Sequence, residues 1–502
     1  MLRHRIVLLV LCVLLVTGSF SGTLAYVLHL RSDAYRESAE KRLSALLNMP
    51  VDIGRIHPLS FSSSRFEHIR TWLPGRSLQV FACDQALWRQ TGREADATYA
   101  LDLQDGWLLV GTGSWGRSEY DAILASGLGH DFASLRLREI HLDDLDFRWD
   151  HPSFQLSARA AGGVILLDDD GIGTASLHSR QLNDHASSEP IHIHARFVPG
   201  AGLRFEEVVL DVPRIPLSAL GLNTLLRGPV TEGTFAGRVT YRETDAQRLS
   251  LTGSVWDGRL DELTRQVIGG PFRGRMDVTL DEASFVGRRL GALRFHGRLV
   301  EVCLHDLLPA LRDHGGTGRL QLDVAQCEYV DGRIRRFSAS GEAEGLPLQA
   351  VTDLLGFGRV TGTVDLRIHS LLVDHDRLRA ADIDLIAAPP ADRPGTIDKE
   401  VIRRALQQLV GIDAAPVLPD QVEYTQLGVK LLLSGEQLTV RGTHGPDGRT
   451  ILTVKLAGRE WGLLKQPDRA FAVGDLLALA RHRVEQYGFD DIETWWTRQH
   501  EP

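Results

Sequence analysis

Polar and apolar residues alternate in strand-length pieces along most of the chain, and this pattern restricts its fold more than any other. Leu78, Val80 and Ala82 alternate with polar neighbours or face away from them. So do Leu145, Phe147 and Trp149; Val208, Leu210 and Val212; Leu249, Leu251 and Val255; Met276, Val278 and Leu280; and Leu452, Val454 and Leu456. A period of two puts one set of side chains on each face of a β-strand. Between the pieces stand turn sequences such as Asp105-Gly106, Asp331-Gly332 and Pro446-Asp447-Gly448. Short helices are expected at 217–226, 304–311, 348–355, 397–410 and 473–486. That is too little helix to cover the apolar face of about thirty strands, so the sheet is expected to curl until that face looks at itself. At about 4.8 Å per strand it would run on the order of 140 Å.

The chain also repeats itself. The run LPLQAVTDLLGFGRVTGTVDLRI from Leu346 matches IPLSALGLNTLLRGPVTEGTFAGRVT from Ile215, with weaker copies from Leu260 and Cys303. Gly237, Gly274, Gly318 and Gly362 read as their turn glycines, and such a period indicates an array of supersecondary units. The expected fold is therefore mainly β: an N-terminal transmembrane helix, then an elongated, curled (U-shaped, groove-forming) antiparallel sheet of repeated units with a few short helices. The expected segments are 1–31 (cytoplasmic tail and anchor), 32–49 (juxtamembrane amphipathic helix), 50–388 (repetitive sheet) and 389–502 (C-terminal helix, hairpins and terminal helix).

Residues 6–30 carry no formal charge and are flanked by Arg3, Arg5 and Arg31. The stretch is long enough to cross about 30 Å of hydrocarbon. It reads either as an anchor or as a signal peptide cleaved near Thr23-x-Ala25. Tyr26, Val27, Leu28 and Leu30 resume the apolar run and favour the anchor, oriented N-in.

Fifty-one arginines and five lysines against 65 acids leave a net charge of −9 and no basic stripe, which argues against nucleic-acid binding. Cys12, Cys83, Cys303 and Cys327 show no metal spacing; a Cys303–Cys327 bridge and inert buried thiols both fit. Gly111-Thr-Gly-Ser-Trp-Gly116 matches a dinucleotide turn, but no βαβ unit or ribose-binding acid follows. Ser38-x-x-Lys41 has none of the companion motifs of the Ser/Lys hydrolases. His192 and His194 share one strand face with Arg196, an outward polar face rather than a metal site. Asp143, Asp144, Asp146 and Asp150 could pair as glycosidase carboxylates but read as turn and strand-edge acids. No catalytic residue, cofactor or metal is expected.

The remaining candidates are apolar. A continuous apolar trough invites an apolar occupant, and phospholipid acyl chains fit one. Leu145, Phe147, Trp149, Leu210, Leu251, Val255, Val278, Leu280, Leu322, Leu366 and Val454 are the expected lining.

The opening AEKRLSALLNMPVDIGRI, the acidic-apolar strand LREIHLDDLDFRWD and the IPL/LPL…G-x-x-x-G-T units together resemble the AsmA-like family, over nearly the whole chain. That resemblance implies an inner-membrane protein whose bulk lies in the periplasm, with a hydrophobic groove that moves phospholipid and supports envelope biogenesis. An envelope protein is the other partner considered. The alternative expectation is a periplasmic scaffold or assembly factor for outer-membrane proteins that works by strand addition at an open sheet edge. A third is an exported carbohydrate-active β-solenoid.

Overall fold

The computed structural model describes residues 28–472, apart from 48, 61, 73–78, 92–96, 112–135, 152–153, 170–171, 199–203, 244–246, 266–270, 308–317, 350–351, 353–357, 391–393 and 410–417. The chain forms two compact units, Met1–Thr224 with Gly237–Leu249, and Leu225–Ala236 with Ser250–Pro502.

The first unit opens with helix α1 (Asp33–Leu47). Strands β1 (Val51–Ser60), β2 (Ser63–Trp72), β3 (Gln79–Thr91), β4 (Thr98–Gly111) and β5 (Leu137–His151) follow. Next come β6 (Phe154–Leu167), β7 (Gly173–Leu182), β8 (His185–Val198), β9 (Arg204–Pro216) and a 3₁₀ turn, Leu217–Leu220. Each strand lies beside the next in sequence. All these pairs are antiparallel except β4–β5, which run parallel with Leu101 opposite Ile140 and Leu108 opposite Phe147. Trp149 anchors the core, its ring 5.2 Å from Phe205 and 5.3 Å from Tyr241.

The second unit holds most of β11 (Arg248–Arg259), which follows β10 (Thr234–Arg242), then the four-residue helix α2 (Leu260–Leu263). After it come β12 (Arg275–Val286), β13 (Arg289–Cys303), α3 (Leu304–Leu307), β14 (Arg319–Val330) and β15 (Arg333–Pro347). The unit continues with β16 (Thr363–Asp374), β17 (Arg377–Ala388), β18 (Gly395–Asp398) and α4 (Lys399–Leu409). It closes on β19 (Gln421–Ser434), β20 (Gln437–Gly442), β21 (Thr450–Leu456), β22 (Arg459–Lys465) and β23 (Phe471–Ala472). Strand β19 is the hub: β17 and β18 pair along one side of it, β20 and β21 along the other.

The internal repeat has a definite structural meaning. The backbone N–H groups of Leu260, Leu304 and Leu348 donate to the carbonyls of Gly274, Gly318 and Gly362 at 2.9, 3.1 and 2.9 Å. Each glycine stands fourteen positions after its leucine, and the leucines recur every 44 positions. All three leucines are buried. One repeat is thus a helical turn that plugs the core with a leucine, then a hairpin of two strands. The glycines mark strand entry or strand interior rather than turns, and each repeat adds two strands where the sequence suggested one.

Bulges help explain why the described residues form 23 strands where about thirty were expected. Register slips recur across neighbouring strands of the second unit, at Leu280/Glu282, Phe295/Gly297, Val324/Gln326, Ala339/Gly341 and Ile368/Ser370. Each extra residue shifts the alternation by one. Val324 and Cys327 are therefore both buried although three apart, as are Leu280 and Ala283. Pieces that look like two short strands are one long bulged strand.

Three expectations need correction. The curled, all-antiparallel groove is not found: one strand pair is parallel, β1 pairs only with β2, β22 only with β21, and no pairing closes the ladder of either unit among the described residues. The apolar faces are filled by their own side chains. Of the expected lining, Leu145, Trp149, Leu210, Leu251, Val255, Val278, Leu280, Leu322 and Val454 are buried, and Phe147 and Leu366 half-buried. The lipid-conducting role loses its conduit with the groove. Finally, no helix among the described residues is long and apolar enough to cross a membrane. The run 6–27 lies outside the described residues, and the inner-membrane, single-span placement with a membrane partner is without structural support.

Candidate functional site

Open β-edges are the chemically unsatisfied parts of a sheet, because every second residue directs its N–H and C=O away from the ladder. The edges of β1 and β22 differ in how they are treated.

At β1, the Trp72 N–H donates to Pro50 O at 3.2 Å, which places the groups of Asp52 toward β2 and those of Val51 and Ile53 outward. Helix α1 lies along this outer edge. Ser44 Oγ accepts from Val51 N at 2.9 Å, Glu40 Oε1 accepts from Ile53 N at 3.1 Å, and Arg36 Nη1 donates to Ile53 O at 3.2 Å. Tyr35, Ala39 and Leu43 pack on Val51, Ile53 and Ile56 beneath.

Strand β22 has no such cover among the described residues. It is joined to β21 by Ala457-Gly458, both with positive φ (50° and 78°), the two-residue hairpin turn whose twist suits flanking strands. In that turn type Leu456 and Arg459 exchange hydrogen bonds, as do Val454 and Trp461 two positions on. Glu460 and Gly462 consequently turn their backbone N–H and C=O outward. Trp461 ends a cross-strand row, Gly395–Tyr424–Val454–Trp461. Its inner members are sealed: Val454 is 0% and Tyr424 2% exposed, while Trp461 is 56% exposed. Tyr424 donates its hydroxyl to Thr361 O at 2.7 Å, and burial pushes that hydroxyl's pKa up to about 12. An apolar face therefore runs to a free edge and stops at an indole in solvent.

A charged cluster sits on the polar face of the second unit. His369 Nε2 and Asp384 Oδ2 are 2.7 Å apart, and Lys430 Nζ lies 2.7 Å from Asp382 Oδ1 and 3.4 Å from Asp384 Oδ1. The Lys430 ammonium thus sits between the two carboxylates and ties them together. Burial raises the Asp384 carboxyl, but the His369 hydrogen bond and the Lys430 charge outweigh it and hold it below the usual carboxylate range. His369, Asp382 and Asp384 could jointly ligate a cation. The Lys430 ammonium already supplies that positive charge, so the chemistry of the set fits an ion-pair clasp across β16, β17 and β19 better than a metal centre.

The other sequence motifs are not brought together. Residues 112–116 of the glycine-rich turn lie outside the described residues. Ser38 and Lys41 are exposed on α1. His192 and His194 face solvent from β8 opposite His178 and Ser176, as an outward polar face requires. Asp143, Asp144 and Asp146 are exposed on β5, and Asp146 accepts a hydrogen bond from Ala160 N at 3.0 Å. Cys83, Cys303 and Cys327 are unbridged, and burial pushes the Cys327 thiol up to about 12, away from reactivity. The β22 edge was missed because Arg459-Glu460 opens it with charges. The signal was there in the Ala457-Gly458 pair ahead of a short run that contains Trp461, Leu463 and Leu464.

No family model matches the chain, and comparisons with curated proteins and with solved structures likewise find no match. The AsmA-like resemblance rests on sequence pattern alone.

Proposed function

We propose that the protein is a β-sheet scaffold that takes up an extended segment of another polypeptide by strand addition on the outer edge of β22. The observation that supports this is the outward backbone of Glu460 and Gly462 beside the exposed Trp461, at an edge to which no described element is paired. Backbone hydrogen bonds would supply affinity, and the pleat would set the specificity: an apolar side chain opposite Trp461, polar ones on the other face. Natural proteins usually blunt an edge of this kind, and this chain does so at β1.

Selection from a library of ten-residue peptides tests the proposal. The expected outcome is enrichment of alternating apolar-polar peptides whose binding falls at least about tenfold in Glu460→Pro. Proline there removes an outward N–H and leaves the β21 pairing intact. Peptides that bind Glu460→Pro as tightly as the natural chain would refute it.

A further inference from the structure

The contact between α1 and β1 is a substitution of side chains for a missing strand. A neighbouring strand would give Ile53 one C=O to accept its N–H and one N–H to donate to its C=O. Here Glu40 and Arg36 take those two roles, at 3.1 and 3.2 Å, and stand 3.4 Å from each other as an ion pair. Ser44 repeats the acceptor role at Val51. Arg36, Glu40 and Ser44 are spaced four apart, so they form one stripe of the helix, aligned with the strand edge. Beyond Ile53 the alternation slips at Gly54, so that Ile56 rather than Arg55 shares the buried face of Val51 and Ile53.

A helix of this composition is not held by its apolar surface alone. Tyr35, Ala39 and Leu43 are only half-buried against β1, and Glu37, Lys41 and Arg42 are exposed. The polar stripe adds three hydrogen bonds to the attachment, and these are chemically specific to an unpaired strand edge.

We propose that α1 is an edge guard: its Arg36–Glu40–Ser44 stripe occupies the pairing groups of β1 and blocks strand addition there. The guard concerns β1 only and is independent of the β22 proposal.

Site-resolved amide exchange and sedimentation of the full chain test it. In the natural chain the Val51 and Ile53 amides are expected to be protected although no strand pairs with them. In the triple variant Arg36→Ala/Glu40→Ala/Ser44→Ala their protection should fall at least about tenfold, while the inward Asp52 and Arg70 amides keep theirs. The same variant should self-associate with rising concentration. The control Glu37→Ala/Arg42→Ala, on the exposed side of α1, should change neither readout. If the Val51 and Ile53 amides exchange freely in the natural chain, or if the triple variant keeps its protection and sedimentation unchanged, the guard does not exist.

Discussion

Trp149 shows at the level of one residue why a lining position differs from a core position. Its neighbours are the rings of Phe205 and Tyr241, and it is 5% exposed. Trp149→Ala should therefore destabilise the first unit by about 3–5 kcal/mol, read by denaturant unfolding. A residue lining an open trough would lose far less. Asp384 carries a pH signature. Its carboxyl sits below its ordinary range in the folded chain, so its contribution is present above the unfolded value of about 4 and is lost as pH falls through the folded value. Asp384→Asn should accordingly lower the unfolding midpoint at pH 7, and the difference from the natural chain should shrink below about pH 4.

Elements carry the lesson about what could be read in advance. The alternation of Met276, Val278 and Leu280 announces a strand, and all three are buried on one face of β12 as that pattern requires. What alternation does not announce is its own interruption. At Val324-Ala-Gln-Cys327 the apolar spacing becomes three, which reads as a strand ending; the bulge lets β14 run on to Val330. Likewise the period of the repeat was visible, but its content was not. That Leu304 meets Gly318 depends on a hydrogen bond between residues fourteen apart, which no strand or helix period reports. Charge hid β22, since Arg459 and Glu460 lower its β propensity while the two-residue turn sets its pairing. Gly297 offers an element-scale test. It has φ 138°, and a Cβ there would lie 2.4 Å from Asp277 O, on the neighbouring strand. Gly297→Ala should loosen the β12–β13 pairing, seen as faster exchange of the Asp277 and Arg298 amides.

At the scale of the molecule, a 44-residue repeat whose hairpins meet mainly their neighbours predicts modular behaviour. Deleting 304–347 joins Cys303 to Leu348 and replaces one leucine plug by the next. The shortened chain should still unfold cooperatively, with the helical turn at Leu348 docked where α3 had been. Aggregation of that deletion would argue that the repeats are not interchangeable. The same architecture leaves the ends of the ladders as the places open to a partner. Interior strands satisfy one another, whereas the terminal ones need a partner or a guard, and β1 and β22 have received different treatment.

The measurement that bears most directly on this account is amide exchange at Glu460 and Gly462, with and without a peptide selected for binding. Strand addition predicts that both amides exchange quickly in the free chain and become protected on binding, while the Trp461 amide, already bonded to β21, hardly changes. Protection of Glu460 and Gly462 in the free chain, or binding that leaves them fast, would contradict the central claim.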